Sequence, residues 1–222
     1  MKIETFPLEI KKSIKFNNNY KINVFGIGIY NNLDPEKELK KRKKVKDVEE
    51  ENKIRRFSLE LEIEKSKGSK SLIAIMMNPS VTFPKGKERE ESKIDGTVQN
   101  VIRIAYVCGY NKLYVYNIFS LINSDSSIQY KTDKFNTDGI INFLKGNNFD
   151  TLIAWGENKE KYVQDILKYL KNRNLFVWKL TNKHKPQHPS PLCNKYIKEF
   201  LQQPNPKLKP IKFDDNGNIV IC

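Results

Sequence analysis

Histidine and cysteine are scarce in this chain, with two of the first and three of the second among 222. The cysteines, Cys108, Cys193 and Cys222, are scattered, odd in number and in no Cys-x-x-Cys spacing. That distribution argues against a disulfide framework and against a thiolate zinc site. Long apolar runs are missing too: nothing approaches the ~20 residues of a membrane span, and Met1-Lys2-Ile3-Glu4-Thr5 opens without an apolar signal core. The expectation is a cytoplasmic protein that does not enter a membrane. Acidic residues are the minority charge, 26 against 40 Lys and Arg, leaving a net charge of +14. A field of that sign attracts polyanions, nucleic acid being the commonest, although an AT-rich coding sequence also writes Lys and Asn freely. The length suits one domain with a single sizeable core.

Residues 1–55 differ in character from the rest. Tyr20 to Tyr30 is β-rich and broken by Gly26 and Gly28; Leu33 to Asn52 is almost wholly charged, suiting an exposed helix or a mobile arm. Arg56 to Glu64 alternates polar and apolar residues strictly, the mark of a half-buried strand. From Ser71 the pattern becomes apolar strand alternating with helix. Strands are expected at 72–77, 113–116, 151–155 and 175–180; helices at 95–107, 137–144, 159–172 and 194–202. Such an alternation implies an α/β fold built on a doubly wound, four-stranded parallel sheet. The expected organisation is a β-rich N-terminal extension (1–55), the α/β domain (56–203) and a Pro- and Lys-rich tail (204–222) wrapping the surface.

Polar residues gather where these strands end. Asn78-Pro79-Ser80 follows the first, Asn117-Ile118-Phe119 the second and Trp155-Gly156 the third. The fourth leads into Lys183-His184-Lys185-Pro186-Gln187-His188-Pro189-Ser190-Pro191-Leu192, a proline-stiffened loop holding both histidines. An Asn after a strand is often only a turn former, and an isolated His-Pro loop only a rigid turn. Doubly wound sheets, however, bind ligands beyond the carboxyl ends of their strands, so these four segments would meet at one crevice.

In their order, Met77-Asn78-Pro79-Ser80, Tyr116-Asn117-Ile118-Phe119, Ile153-Ala154-Trp155-Gly156 and His188-Pro189-Ser190-Pro191-Leu192 resemble the motifs of the uracil-DNA glycosylase superfamily. The resemblance covers about Arg56 to Gln202. It also touches an uncharacterised bacterial and phage family with Asn-Pro-Ser after the first strand and Asp-x-Thr as at Asp95 and Thr97. It implies a monomeric DNA glycosylase that needs no cofactor or metal and acts in base-excision repair or defence against phage. Asn78 would position the attacking water, Asn117 read the edge of the base, and His188 stabilise negative charge on the leaving base. Leu192 would be the wedge entering the duplex; Ser190 and Ser80 would hold backbone phosphates or line the pocket, His184 would face a phosphate or stabilise the loop, and Lys185 would bind DNA. Pro79 and Ser80 would line the pocket, and Phe83 is the candidate stacking aromatic. Asp95 reads either as a helix cap or as a catalytic carboxylate. Rival readings are a nucleoside or nucleotide hydrolase and a nucleic-acid-binding module without catalysis.

Two departures carry information. Uracil-specific relatives place Asp where Asn78 stands and Tyr where Ser80 stands. An amide orients water but cannot act as a base, so plain uracil should react slowly. A serine in place of the tyrosine leaves room beside C5 of a pyrimidine, pointing to a 5-modified base. Ser80→Tyr is accordingly expected to abolish activity on a bulky 5-substituted pyrimidine while sparing activity on uracil. Equal loss on both would contradict that expectation.

Overall fold

The structure, a computed structural model, describes residues 4–16, 20–32, 35, 54–64, 66, 68–79, 91–122, 134–157 and 160–222. The fold is mixed α/β. Nine strands form one sheet: β1 (Phe6–Lys15), β2 (Lys21–Tyr30), β3 (Arg56–Ile63), β4 (Lys70–Met76), β5 (Tyr110–Asn117), β6 (Asp150–Ala154), β7 (Leu175–Val177), β8 (Lys209–Phe213) and β9 (Ile219–Ile221). Four α-helices stand among the described residues, α1 (Gly96–Val107), α2 (Lys134–Gly146), α3 (Glu160–Leu170) and α4 (Asn194–Leu201), with a 3-10 turn at Pro191–Cys193. The spatial order is β1-β2-β3-β5-β4-β6-β7-β8-β9.

The expected four-stranded parallel sheet is thus too small a description. Only the pairs β5/β4, β4/β6 and β6/β7 are parallel. The other five are antiparallel. Strands added at both sides make the difference. β1 and β2 form a ten-pair hairpin that continues through β3 onto β5. At the far side, the tail expected to wrap the surface instead supplies β8 and β9. Its prolines and lysines read as a loop, yet Ile211 is buried and Phe213 stacks on Trp155, ring centroids 6.1 Å apart. The charged segment 33–52 lies outside the described residues, Pro35 excepted.

Burial on both faces explains why β4 reads as a continuous apolar run. Leu72, Ala74 and Met76 pack with Val98, Val101 and Ile102 of α1 and Ile197 of α4. Ile73 and Ile75 face the other way, toward Ile140 of α2 and Val163 and Ile166 of α3. Each fully buried Leu or Ile contributes about 1.5–3 kcal/mol, which fixes the register on both faces at once. β7 stops at Val177, not at Leu180 as the apolar pattern suggested, because the chain beyond it turns to pair with the loop that follows. Gln187 N–H donates to the Lys179 carbonyl at 3.0 Å, Trp178 Nε1 donates to the Gln187 carbonyl at 2.7 Å, and Leu180 bridges Pro186. No described helix is long and apolar enough to cross a membrane.

Candidate functional site at the carboxyl edge of the sheet

The parallel strands β5, β4 and β6 end side by side: Met76 is paired with Asn117 on one flank and Ala154 on the other. Strands lie about 4.8 Å apart, so the ends of β5 and β6 are separated by about 10 Å. Asn78 and Pro79 follow β4 at this edge, Asn78 half-buried and Pro79 buried. Gly156 follows β6 with φ of +88°, and a β-carbon on it would lie 3.4 Å from His188 Cβ. Glycine suits the left-handed turn, and the histidine loop lies within van der Waals reach of it. The edge therefore gathers Asn78, Pro79, Asn117 and His188. Ser80 and Phe83 lie outside the described residues.

Asn117 is fully buried. Its backbone carbonyl accepts from Asn136 Nδ2 at 2.8 Å, which locks the strand end to α2. Among the described residues, neither its side-chain oxygen nor its side-chain nitrogen has a hydrogen-bond partner. Leu113 and Val115 pack into the core beneath α1, so the period-two alternation of β5 places Asn117 on the same face. An unsatisfied buried amide costs about 1–3 kcal/mol, so its retention in the core calls for a functional reason.

A second buried polar group lies on the adjacent strand. Arg56 at the start of β3 is wholly buried, its guanidinium shared between the Tyr30 hydroxyl and the Asp95 carboxylate. Its Nη1 stands 3.9 Å from Asp95 Oδ2. Strict alternation would send Arg56 to the solvent with Glu60 and Glu62. A register shift between Ile29 and Tyr30 breaks the alternation, pairing Ile29 with Ser58 but Tyr30 with Arg56. Phe57 consequently meets Phe135 of α2, rings 5.1 Å apart, while Arg56 turns inward toward α1. Re-aiming a side chain in this way is a common use of a bulge. Tyr30 is buried beside them; burial pushes its hydroxyl pKa up to about 12, against the opposing pull of the Arg56 charge.

Asp95 takes the geometry of a helix cap. Its Oδ1 accepts from the Thr97 and Val98 N–H groups at 2.9 and 3.1 Å, and Oδ2 faces Arg56. Asp95→Ala is expected to remove about 3–5 kcal/mol of stability by stranding the buried guanidinium. Asp95→Asn should be less harmful by about 1 kcal/mol, because asparagine caps a helix as well as aspartate does. Urea denaturation of both variants measures the difference.

The start of α1 also holds the histidine loop. A β-carbon on Gly96 would sit 2.6 Å from Pro191 Cγ. Buried Asn100 donates from Nδ2 to the Pro189 carbonyl at 3.0 Å and to Asn194 Oδ1 at 3.1 Å. Ser190 Oγ lies 3.8 Å from Cys193 Sγ, and Leu192 at the loop's tip is 95% exposed. His184 is exposed in a turn at φ +57°, where its N–H donates to the Thr181 carbonyl at 3.0 Å. Lys185 is half-buried, and its carbonyl accepts from Thr181 N–H. On the outer flank a cavity of about 490 Å³ is bordered by Gly156, Glu157, Lys179, Lys183, His188 and Tyr196, among others. Lys179 Nζ lies 3.2 Å from the centre of the Tyr196 ring, and Lys183 pairs with Glu157 at 3.0 Å. Asn117 and Asn78 do not line this cavity, so His188 stands between it and the buried edge.

The sequence alone did not point to Arg56, Asn100 or Gly96. Arg56 was hidden by its place in a regular polar pattern. Asn100 sits in an amphipathic helix among apolar neighbours, where its polarity was the only available sign. No cluster of three or more His, Cys, Asp or Glu suited to a metal occurs among the described residues.

The profile of one family, described as a protein of unknown function (DUF1643), matches residues 56–190. That span runs from the re-aimed arginine to the histidine loop. No curated protein and no solved structure matches the chain.

Proposed function

The chain belongs to the DUF1643 family, and we propose that it is a DNA glycosylase that hydrolyses the N-glycosidic bond of a flipped-out pyrimidine, uracil or a 5-modified base, leaving an abasic site. The observation that carries this reading is the fully buried, unpartnered amide of Asn117 at the same sheet edge as His188. An amide offers one donor face and one acceptor face, which suits the hydrogen-bonding edge of a nucleobase. The sheet lends support. Its four central strands are parallel in the order β5-β4-β6-β7, with α1 and α4 on one face and α2 and α3 on the other. We read this central part as a uracil-DNA glycosylase-like sandwich within the larger mixed sheet, with β1–β3 and β8–β9 as additions.

The chemistry follows from where charge moves. Cleavage leaves positive charge on the sugar and negative charge on the departing base. His188, donating an N–H to the base oxygen beside the broken bond, acts as an oxyanion-type stabiliser. Asn78, at the end of β4, orients the water that adds to the sugar carbon. The bond between that carbon and the base nitrogen breaks, its electron pair leaves with the base, the water's oxygen stays on the sugar with one hydrogen, and its other proton ends on the released base. Leu192 fills the stack vacated by the flipped nucleotide, which offsets part of the few kcal/mol that flipping costs. Exposed Lys183 and Lys195, on either side of that leucine in the chain, meet phosphates.

The direct test is incubation with duplexes carrying uracil, thymine or a 5-modified pyrimidine, followed by alkaline cleavage at abasic sites. Cleavage that depends on His188 supports the reading. Salt-sensitive binding without any abasic product would mean a nucleic-acid-binding module. Leu192→Ala is expected to lower activity on duplex substrate by at least tenfold and to leave single-stranded substrate nearly unaffected, because only the duplex has a stack to refill. Parallel single-turnover assays on the two substrates check this.

A further inference from the structure

We infer that Arg103 is a positioning residue that ties the N-terminal hairpin to the His188 loop through Asn100. This rests on the glycosylase reading, in which His188 acts on the leaving base. Arg103 is half-buried on α1, three residues beyond Asn100 and so on the same face of the helix. Its Nε and Nη2 both donate to the carbonyl of Lys15, the last residue of β1, at 3.1 and 2.9 Å. Nη1 donates to Asn100 Oδ1 at 3.0 Å. One planar group thus bonds the end of an edge strand and a buried amide at once.

A guanidinium carries donors only, so the Asn100 oxygen faces it and the Asn100 nitrogen faces away. That nitrogen donates to the Pro189 carbonyl at 3.0 Å and to Asn194 Oδ1 at 3.1 Å. Both amide hydrogens and the amide oxygen are engaged, as a buried amide requires. Turned over, the amide would set its oxygen against the Pro189 carbonyl, acceptor against acceptor. Arg103 therefore selects the one orientation in which Asn100 can hold the loop.

His188 lies between two pinned carbonyls. That of Gln187 accepts from Trp178 Nε1 at 2.7 Å, and that of Pro189 accepts from Asn100. Trp178 is fastened in the core, whereas the Asn100 side depends on Arg103 and, through it, on the hairpin. Aromatic contact seats the hairpin on α1: Phe16 and Tyr20 meet Tyr106 with ring centroids 5.4 and 5.9 Å apart. The hairpin precedes the span that the family profile matches, and this bracing gives it a part in the chemistry. A misplacement of about 1 Å can cost about 10²-fold in rate, so a loop freed on one side loses speed before it loses DNA.

The chain has two histidines, and His184 is exposed in a turn, so imidazole NMR reads His188 without any catalysis. The full-length variants for comparison with the parent are Arg103→Met and Asn100→Asp. The second keeps a partner for Arg103 but places a carboxylate oxygen against the Pro189 carbonyl. In both, the His188 signal should broaden or split while that of His184 stays unchanged. The single-turnover rate at saturating DNA should fall about tenfold or more, with DNA affinity within about twofold of the parent. Arg103→Lys keeps the charge but has no planar fork to bridge both acceptors; its effect should lie between, and it replaces Arg103→Met if that variant does not fold. A His188 signal identical to the parent's, equal perturbation of both histidines, or rate and affinity lost together would overturn the assignment. A selectively perturbed His188 signal in a protein that releases no base from any DNA would instead leave the bracing standing and remove the glycosylase reading.

Discussion

His188→Ala is expected to lower the single-turnover rate of base release by about 10²–10³-fold, the loss seen when one oxyanion donor is removed from a preorganised site. Most of the effect falls on the chemical step, with DNA affinity within a few-fold of the parent. The physical reason lies in how the loop is fixed. Pro189 and Pro191 stiffen it, Asn100 holds the Pro189 carbonyl, Gly96 lets α1 close on Pro191, and Trp178 and Lys179 bind Gln187. A loop held from so many sides needs little reorganisation as charge develops, and a donor carried on it acts on the transition state more than on the ground state. Quench-flow rates alongside equilibrium binding separate the two effects. A variant that loses affinity and rate equally would place His188 in DNA binding, not in chemistry.

Asn117→Leu is expected to have two opposite consequences. Activity falls by roughly 10⁴-fold or more, the scale on which a site built for hydrogen bonding responds to an unmatched partner. Stability rises by about 1–3 kcal/mol, because an apolar side chain of similar size replaces two buried polar atoms without partners. That pairing is the signature of a residue kept for function at a cost in stability. Asn117→Asp should also lose activity, since a carboxylate replaces the donor by a second acceptor. Urea melts and single-turnover assays on the same preparations test both halves. An Asn117→Leu variant that is less stable and still active would show the amide to be structural.

The parts of the fold that could be read from the sequence are those where one physical pattern dominates. β4 from Leu72 and β6 from Leu152 are apolar because both faces are covered, and Asp95 stands where a cap belongs. Gly156 and the histidine loop were legible because glycine and proline restrict the backbone in recognisable ways. The parts that escaped are those where pattern and structure diverge. Arg56 keeps the polar beat of Arg56, Ser58, Glu60 and Glu62, yet one register shift against Tyr30 turns it from solvent to core. Nothing in the local sequence announces that Phe57 stands as an extra residue between the pairs Ile29–Ser58 and Tyr30–Arg56. β8 and β9 were hidden by proline and lysine, and they form because Ile211 and Phe213 find Trp155 and α3 across a long stretch of chain. The Asn117 amide could be placed at a strand end from sequence, but that it stays unpartnered in the core emerges only from the packing around it.

The central claim is that the buried edge between Asn117 and His188 breaks a glycosidic bond. It is tested most directly by mass spectrometry of the small-molecule fraction after single-turnover incubation with DNA containing uracil and 5-hydroxymethyluracil. The account predicts an intact free pyrimidine, 5-hydroxymethyluracil in excess over uracil, released in equal amount to abasic sites and suppressed by His188→Ala. Intact DNA with no free base, or free base from mononucleosides but not from DNA, would contradict it.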